Sequence, residues 1–353
     1  MVGRKLFSAH LHLGLLCNAD VMILILSEAS DQSTNDVIDW LNHFQLNYFR
    51  INETDKIRIR KITIKEEAGF NANLEVEKAE GKCLELELSD VKAYWYRRGN
   101  FNIEFNPIKD RKYANVSWYV NKYLFQEREK LATMLHHHLQ TVPHINSYFD
   151  NHINKLHVLS VASRVGLKIP ETSVISSKKA LHELLQQKRL VTKALSEGGF
   201  QVGKKIGVGA YTSLVSESEA QKLDDNFFPS LMQAYIKKKW DIRVFYLDRR
   251  LYASVILSQQ KEESVDFRDK GPDHFAHRVV PYNLSPEVER KLRGLMDDLG
   301  LNCGSVDLVE DQDGEVIFLE INPIGQFGFI SKACNYGLEY RIAKTLCKYE
   351  KTL

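Results

Sequence analysis

The sequence predicts an α/β protein built from mixed layers of helix and strand. Its first recognisable elements alternate: an apolar strand over 21–26, a helix over 35–44 and a second strand over 47–51. A β-α-β opening is typical of a parallel sheet covered by helices. Near the C-terminus, two strand-like runs flank Asp313-Gly314, a pair that favours a hairpin turn.

Bulk composition narrows the class of protein. The 353 residues are 44% hydrophobic and 27% charged, as in a globular chain with room for two or three domains. A net charge of +2 gives no sign of nucleic-acid binding. No apolar run approaches the roughly 20 residues of a membrane helix. Five scattered cysteines without a CxxC pair argue against a disulfide framework or zinc site and favour a cytoplasmic protein.

The elements divide the chain into five parts. Residues 1–21 are expected to be a disordered or upstream extension, because the first buried strand opens near Met22. An N-terminal α/β domain spans 22–107 and a connecting helical segment 108–150. A central subdomain covers 151–232, and a C-terminal subdomain covers 233–353. Further strands are expected at 60–65, 74–78, 83–88, 92–96, 172–175, 190–194, 231–236, 242–247 and 251–257, and further helices at 116–139, 153–165, 179–187, 286–299 and 338–349.

The hairpin over 303–322 holds the residues with the clearest chemistry. A two-residue turn at Asp313-Gly314 sets Asp307 opposite Glu320, with Asn322 on the same face. Opposed carboxylates repel, and the hairpin offers no lysine or arginine across from them. A divalent cation would remove the repulsion, and three oxygen ligands suit Mg²⁺. The pattern therefore predicts a magnesium site; the alternative is a solvated polar face.

The same register makes two structural predictions. Residue 310 faces residue 317, and the opposite face of the hairpin forms a core. That core face consists of Val306, Leu308, Leu319 and Ile321.

The hairpin resembles the Mg-ATP site of the ATP-grasp superfamily, in which an acidic residue on one strand and a Glu-x-Asn on the next hold the metal. Asp241-Ile242-Arg243 is similar to the Asp-x-Arg element of ATP-grasp peptide macrocyclases, which lies near the transferred phosphate. The resemblance implies catalytic roles for Arg243 and Asp241, because a guanidinium can stabilise charge that develops during phosphoryl transfer. The alternative is an ordinary surface ion pair.

The resemblance also implies an ATP site. Lys155, at the start of a helix, and Lys193, at the end of a strand, stand where the family places lysines on the α- and β-phosphates. Gln233-Ala234-Tyr235-Ile236 occupies the hinge that binds adenine through backbone groups. The glycine-rich stretch 198–209 is similar to the family's mobile flap. Three lysines at 237–239 stand where many relatives carry an acidic ribose ligand, so the ribose contact is unassigned.

A narrower resemblance covers about 21–350. The chain is similar to graspetide maturases, the microviridin-type ATP-grasp ligases, and within them to the GRASP-with-SPASM branch. The segments that carry this resemblance are 22–28, 31–34, 37–41, 50–52, 95–98, 265–268 and 325–329.

This resemblance implies an ATP-grasp fold with an N-terminal α/β pre-ATP-grasp domain, and a reaction on a ribosomal precursor peptide. ATP would phosphorylate an Asp or Glu side chain of the core, and a Ser, Thr or Lys side chain would close an ω-ester or ω-amide ring. The implied partners are the leader and core of the precursor and a SPASM/radical-SAM protein; a homodimer is left open. Arg268 and Arg278 would contact an acidic core, unless their segment is a solvated loop.

Three other functions stay open at this stage. The Mg-ATP motif alone fits a RimK-like ligase of small carboxylates and amines. A nucleotide-binding module without catalysis would need no Asp-x-Arg element, and a peptide scaffold for a radical-SAM partner would need no acidic hairpin. The histidines at 136–138 are expected to be solvated side chains near a helix end and not a metal cluster, because consecutive helical residues point in different directions.

Overall fold

The computed structural model describes residues 22–67, 69–109, 114–196, 199–202, 206–209, 212–257 and 278–350. The predicted extension 1–21 and Arg268 lie outside these residues. The described strands form five sheets. No described helix is long and apolar enough to cross a membrane.

The N-terminal part is built on a parallel sheet of order β2-β1-β6-β7. Its first strand is buried on both faces: Ile23 and Ile25 pack towards α1 and the C-terminal helices, whereas Leu24 and Leu26 pack towards a second sheet. Double burial explains why this strand reads as a continuous apolar run. The elements are β1 (Met22–Ser27), α1 (Gln32–His43), β2 (Asn47–Asn52), β3 (Lys56–Lys65), β4 (Gly69–Glu77), β5 (Cys83–Glu87) and β6 (Val91–Tyr96).

Helix α1 begins three residues before the predicted start because Asp31 caps it. The carboxylate of Asp31 accepts a hydrogen bond from the backbone N–H of Thr34 at 3.1 Å. This bond satisfies one of the N–H groups that a helix start leaves without an intrahelical partner.

The antiparallel sheet β3-β4-β5 is longer than the sequence predicts. Strand β3 starts at Lys56 instead of residue 60, and β4 starts at Gly69 instead of residue 74. Arg58 pairs across these strands with Glu75 and with Glu77, each at 2.7 Å. Cross-strand ion pairs thus extend a region that looked too polar to be strand.

The long connecting helix α2 (Ala114–Leu139) has two different halves. Its C-terminal half packs Ala132, Leu135 and Leu139 against the N-terminal sheets. Its N-terminal half exposes large side chains, among them Trp118 at 58% and Tyr119 at 68%. Strand β7 (His144–Ile145) then joins the parallel sheet, and a short 3₁₀ helix (Tyr148–His152) leads to α3 (Lys155–Arg164).

The central part holds an antiparallel sheet of order β12-β9-β13-β8 beside a separate hairpin, β10-β11. That hairpin is formed by the glycine-rich stretch predicted as a flap. Strand β13 ends at Ala234 instead of residue 236, so Tyr235 and Ile236 belong to the connection that follows it. The elements are β8 (Thr172–Ser177), α4 (Lys178–Gln187), β9 (Leu190–Lys193), β10 (Gly199–Val202), β11 (Ile206–Gly209), β12 (Ser213–Leu214), α5 (Glu217–Lys222) and β13 (Asn226–Ala234).

The C-terminal part is a five-stranded antiparallel sheet of order β16-β15-β14-β17-β18. One face packs against α3 and α6. Phe245 and Leu247 instead join a core that contains β1, α1 and the last helix, so the C-terminal chain also covers the N-terminal sheet. The elements are β14 (Lys238–Leu247), β15 (Arg250–Leu257), β16 (Arg278–Pro281), α6 (Pro286–Asp298), β17 (Cys303–Asp311), β18 (Val316–Asn322), α7 (Gly328–Cys334) and α8 (Leu338–Glu350).

Candidate active site

The β17-β18 hairpin sets Asp307 opposite Glu320, which confirms the predicted pairing. The turn itself was predicted wrongly. The pair that closes it is Asp311 and Glu315, with three residues between them and Gly314 at φ +82°. The Asp311 carboxylate accepts from the N–H groups of residues 313 and 315, each at 2.9 Å, and so stabilises the longer turn.

A β-bulge at Leu319 restores the register that the longer turn displaces. Residue 310 faces Val316 instead of 317, and Leu308 faces Phe318. Beyond the bulge, Asp307 and Glu320 are again opposed. Phe318, fully buried, therefore takes the core place predicted for Leu319, while Leu319 lines a cavity.

Cations do face the two acids, contrary to the prediction from the hairpin alone. Arg243 on β14 lies opposite Asp307, and its Nε is 2.6 Å from Oδ1 of that aspartate. Lys193 at the end of β9 places Nζ 3.8 Å from Oε2 of Glu320. Both cations come from strands outside the hairpin, so neither could be found from the hairpin register.

The donor set of the hairpin still suits magnesium. Within the described ranges, no three His, Cys, Asp or Glu residues group as a metal site. The hairpin offers two carboxylates and the amide of Asn322, whose Nδ2 lies 3.4 Å from Oε1 of Glu320. Mg²⁺ commonly takes one or two carboxylates and completes its shell with water and phosphate oxygens. The magnesium site remains a prediction, and the oxygen donors of the hairpin are compatible with it.

A cavity of about 620 Å³ joins this hairpin to the central part. A cavity of this size is in the range of sites for drug-sized ligands and cofactors. Every predicted site residue within the described ranges lines it, except Arg278. Those residues are Lys155, Lys193, Gln233, Ala234, Tyr235, Ile236, Asp241, Arg243, Asp307, Glu320 and Asn322.

The two predicted phosphate lysines converge from different elements. Lys155 opens α3, and its Nζ donates to the carbonyl oxygens of Ala194 at 3.1 Å and Ser196 at 3.2 Å. Lys193 ends β9. Burial lowers the pKa of Lys193, and the Glu320 carboxylate partly opposes that shift. The cavity therefore carries cationic groups beside its acidic hairpin.

The predicted hinge forms one wall of the cavity. The N–H groups of Ala234 and Tyr235 donate to the carbonyls of Glu171 and Arg189, each at 2.9 Å. The Gln233 side chain donates to Thr172 Oγ1 at 2.9 Å. A base bound along this wall would therefore use the carbonyl groups of the segment or the N–H of Ile236.

Asp241 and Arg243 lie on the same face of β14, as predicted, but they do not pair with each other. Asp241 accepts from Lys238 Nζ at 2.8 and 3.0 Å. Arg243 is 8% exposed, and its guanidinium lies 5.8 Å from the centre of the Phe329 ring. The alternative of an ordinary surface ion pair between Asp241 and Arg243 is therefore wrong.

The loop after β18 holds residues that the motifs did not identify as ligands. The N–H of Gly325 donates to the carbonyl of Asn322 at 2.9 Å, and Gly325, Gln326 and Phe329 line the cavity. From the N-terminal sheet, Arg98 also lines it. Arg98 is the second residue after β6, at the carboxyl end of a parallel strand, where ligands commonly bind in open α/β sheets.

Arg278 lies apart from these residues. It opens the edge strand β16, is exposed and is paired in register with Leu257. It does not line the cavity, so its predicted contact with an acidic peptide core has no support from the geometry.

Solved structures share this architecture over nearly the whole chain. One is a macrocyclase, MdnC, bound with precursor peptide MdnA from Microcystis aeruginosa MRC: 23% identity, 93% of this chain, 100% of that chain and a TM-score of 0.69. A second is a RiPP-associated ATP-grasp ligase of Chryseobacterium gregarium in complex with ADP and a leader and core peptide. It is 22% identical over 93% of this chain and 96% of that chain, with a TM-score of 0.69. A third is the ATP-grasp ligase PsnB, complexed with minimal precursor, Mg and ADP. It is 17% identical over 93% of this chain and 97% of that chain, with a TM-score of 0.65.

These likenesses establish that the chain has the ATP-grasp fold with an N-terminal α/β domain, as predicted. No family model matches the chain, and no curated protein matches it by sequence.

Proposed function

We propose that the protein is an ATP-dependent ligase that crosslinks side chains of a ribosomal precursor peptide. The observation that carries the proposal is the cavity, which gathers the hinge, two lysines, the acidic hairpin and the Asp-x-Arg element around one space. The whole-chain likeness to ligases solved with precursor peptides supports a peptide as substrate.

We propose a reaction in two steps, which the charges that line the cavity suit. A carboxylate oxygen of the peptide attacks the γ-phosphorus of ATP, the bond to the β-phosphate oxygen breaks and ADP leaves. A hydroxyl or amine of the peptide then attacks the acyl carbon. Phosphate leaves with the former carboxylate oxygen and takes up the proton of the hydroxyl; an ammonium nucleophile releases one further proton. Activation as an acyl phosphate splits one difficult condensation into two easier steps.

Each side chain has a role in this proposal. Lys155 and Lys193 bind the α- and β-phosphates, and Asp307, Glu320 and Asn322 hold Mg²⁺. Bound magnesium supplies charge neutralisation at the transferring phosphoryl group. Arg243 is held by Asp307 and stabilises charge that develops on the phosphate and acyl oxygens. Asp241, fixed by Lys238, orients the reacting groups.

The finer assignments belong to the same proposal. We place the chain in the GRASP-with-SPASM branch, with a radical-SAM protein of the SPASM type as a functional partner, on the basis of the sequence segments that resemble that branch. We also place the protein in the cytoplasm, because the four cysteines within the described ranges form no disulfide.

We also propose a homodimer formed through the N-terminal half of α2. This half exposes large apolar side chains on both sides of the helix, which is unusual for a helix end that stays in water. The residues are Val116, Trp118, Tyr119, Tyr123 and Phe125. Light scattering should give twice the chain mass, and replacing Trp118 and Tyr123 by Ser should give the monomer mass; a monomeric wild type would reject the interface.

Co-expression with acidic candidate precursors, followed by intact-mass measurement, tests the activity. Wild-type enzyme should lower the peptide mass by one water per bond and form ADP and phosphate. Glu320→Gln should reduce turnover at least about 100-fold, because it removes a carboxylate ligand of the Mg²⁺ that neutralises the transferring phosphoryl group. The matched control is Glu315→Gln in the hairpin turn, whose ion pair with Lys168 lies on the surface.

Each alternative gives a different result. ATP-dependent joining of free amino acids without a precursor would favour a small-substrate ligase. AMP and pyrophosphate as products would contradict the acyl phosphate. ATP binding without turnover of any precursor would indicate a regulatory module.

A further inference from the structure

We propose that Arg98, from the N-terminal domain, binds the peptide carboxylate that becomes phosphorylated. This inference rests on the proposed function and assigns a substrate contact within the same cavity. Arg98 is the second residue after β6, lines the cavity and keeps 27% of its side chain exposed.

The position of Arg98 follows from its neighbour. Arg97 is buried: its Nε donates to the Asp31 carboxylate at 2.9 Å, and its Nη1 donates to the carbonyls of Ile324 and, at 3.1 Å, Gly325. Those carbonyls belong to the loop directly after Asn322. Through these bonds Arg97 holds the carboxyl end of β6 against the loop that follows the acidic hairpin. We therefore place Arg98 at the end of the cavity that contains the hairpin and Arg243, and not at the hinge.

Among the residues that the structure describes, the other four cations that line the cavity already have partners in the ATP-grasp part of the chain. Lys193 lies beside Glu320, Lys238 pairs with Asp241, and Arg243 pairs with Asp307 at 2.6 Å. Lys155 donates to two backbone carbonyls, and in the proposed function it binds a phosphate of the nucleotide. Arg98 is the described cation of the cavity that comes from the N-terminal domain.

The contacts of Arg98 suit an exchange of partners. Its Nε is 3.4 Å from Oδ2 of Asp31, and its Nη1 is 3.8 Å from Oε1 of Glu28. Both distances exceed the usual range of about 2.7–3.2 Å for an N–H···O hydrogen bond. Asp31 keeps its closer bond to Arg97 if Arg98 turns away. A planar guanidinium can then bind an incoming carboxylate through two parallel N–H donors, which a lysine cannot do.

Phenylglyoxal labelling of arginines, mapped by peptide mass spectrometry, tests the assignment on the full chain with ADP and Mg²⁺. The probes are N-acetyl-glutamate α-amide and its neutral isostere, N-acetyl-glutamine α-amide. At about twice its Kd, the carboxylate probe should slow labelling of Arg98 about threefold, by mass action. The glutamine probe should not slow it, and Arg58, which lies outside the cavity with similar exposure, should respond to neither. Equal protection by both probes, no protection, or no labelling of Arg98 would overturn the assignment.

Kinetics with a precursor that the wild type modifies give a second test. Arg98→Gln should raise the KM for that precursor about 10-fold, because a charge-assisted bidentate contact is lost. In Arg98→Gln the KM for ATP and the melting temperature should not change, and Arg98→Lys should recover the loss in part. Arg58→Gln should leave both KM values at the wild-type level, because the ion pairs of Arg58 lie in the β3-β4 sheet, outside the cavity. An unchanged precursor KM, or a raised KM for ATP, would contradict the assignment.

The two proposals fail in different ways. Selective protection of Arg98 in an enzyme that modifies no precursor would support the carboxylate site and reject the peptide reaction. Crosslinking of a precursor without selective protection would support the reaction and reject Arg98 as its carboxylate ligand.

Discussion

Individual side chains in the cavity gain their partners mainly from neighbouring strands. Asp307 faces Glu320 on one side and Arg243 on the other, because β17 lies between β18 and β14. The pairing of Asp307 with Glu320, predicted from a two-residue turn and the period of two, is confirmed because the bulge at Leu319 offsets the longer turn. The Arg243 contact could not be predicted, because it depends on which distant strand pairs with β17, and no local pattern specifies that choice.

Arg243→Ala should reduce both turnover and stability. The chemical step loses its guanidinium, and Asp307 loses a partner while its side chain is only 19% exposed. We expect a cost of about 2 kcal/mol in the free energy of unfolding, below the roughly 3–5 kcal/mol of a fully buried pair. Mg²⁺ should restore part of that stability by neutralising Asp307. Steady-state kinetics and thermal melts with and without Mg²⁺ measure both effects.

Two outcomes would contradict this role of Arg243. One is an unchanged kcat with a raised KM for ATP, which would assign the residue to ground-state binding of the nucleotide. The other is full activity in Arg243→Lys, since a point charge does not reproduce the planar fork.

At the scale of elements, the loop after β18 is set by a close approach between chain segments. A Cβ on Gly325 would lie 2.4 Å from Cβ of Ser305 on β17. Gly325 belongs to a segment that resembles the graspetide maturases. The structure gives the physical reason for glycine at this position: the loop packs directly against β17 and leaves no space for a side chain. Sequence patterns give the presence of the loop, whereas its distance from β17 depends on packing.

Gly325→Ala should therefore destabilise the protein by about 1–3 kcal/mol and lower turnover, because the loop has to move away from the cavity. Ser305→Gly removes the atom that the new methyl group meets. The double variant should be more stable than the sum of the single effects implies, by at least about 0.5 kcal/mol. Urea denaturation of the four proteins measures the coupling, and strict additivity would show that the two residues do not interact.

Helix α2 buries His136, which the sequence predicts as a solvated histidine. His136 stacks on Tyr148 with ring centres 4.0 Å apart, and its Nε2 donates to Asn100 Oδ1 at 2.8 Å. Burial, and then the charge of His137, lowers the pKa of His136 to about 3. The folded state therefore keeps this imidazole neutral where the unfolded chain, with a pKa of about 6.5, becomes protonated.

The stability that neutral His136 provides is fully present above about pH 6.5 and decreases as the pH falls towards 3. Below pH 6.5 the free energy of unfolding should drop by about 1.4 kcal/mol per pH unit from this group. His136→Gln should flatten the dependence between pH 6.5 and 5. His137→Gln, at an exposed neighbour, should leave most of it in place, because burial is the main cause of the lowered pKa of His136. Equal slopes in the wild type and His136→Gln would contradict the assignment.

At the scale of the whole molecule, the predicted parts are joined by shared packing. The spacing of apolar residues predicts the alternating elements of 22–107 and the two strands of the C-terminal hairpin. It does not predict the core that combines Ile23 on β1, Phe245 on β14 and Leu346 on α8, because all three read as locally buried residues whatever they contact. Burial patterns state that a face is covered and do not name the element that covers it.

Arg97 adds a polar connection between the same parts. Arg97 and Asp31 are each 3% exposed at the side chain, and Arg97 also donates to the loop after β18. Arg97→Gln should cost about 3 kcal/mol in the free energy of unfolding, because it leaves the buried Asp31 carboxylate with only the longer contact to Arg98.

Adding Asp31→Asn to Arg97→Gln should recover much of that loss. Asparagine keeps the cap on α1 and removes the buried charge. Chemical denaturation of the single and double variants gives the coupling energy. A double variant that is as unstable as the sum of its single changes would show that Arg97 acts through its bonds to the loop and not through Asp31.

The bulge at Leu319 and the three-residue turn have a consequence for aligning this chain with others. Each shifts the pairing of β17 and β18 by one residue relative to a regular hairpin with a two-residue turn, in opposite senses. Deleting one residue of the turn would leave a two-residue loop between Asp311 and Glu315, a length that hairpins favour, and the pairs along the two strands would not change. Homologous chains can therefore lose a turn residue without separating Asp307 from Glu320, and an alignment should place such a gap in the turn.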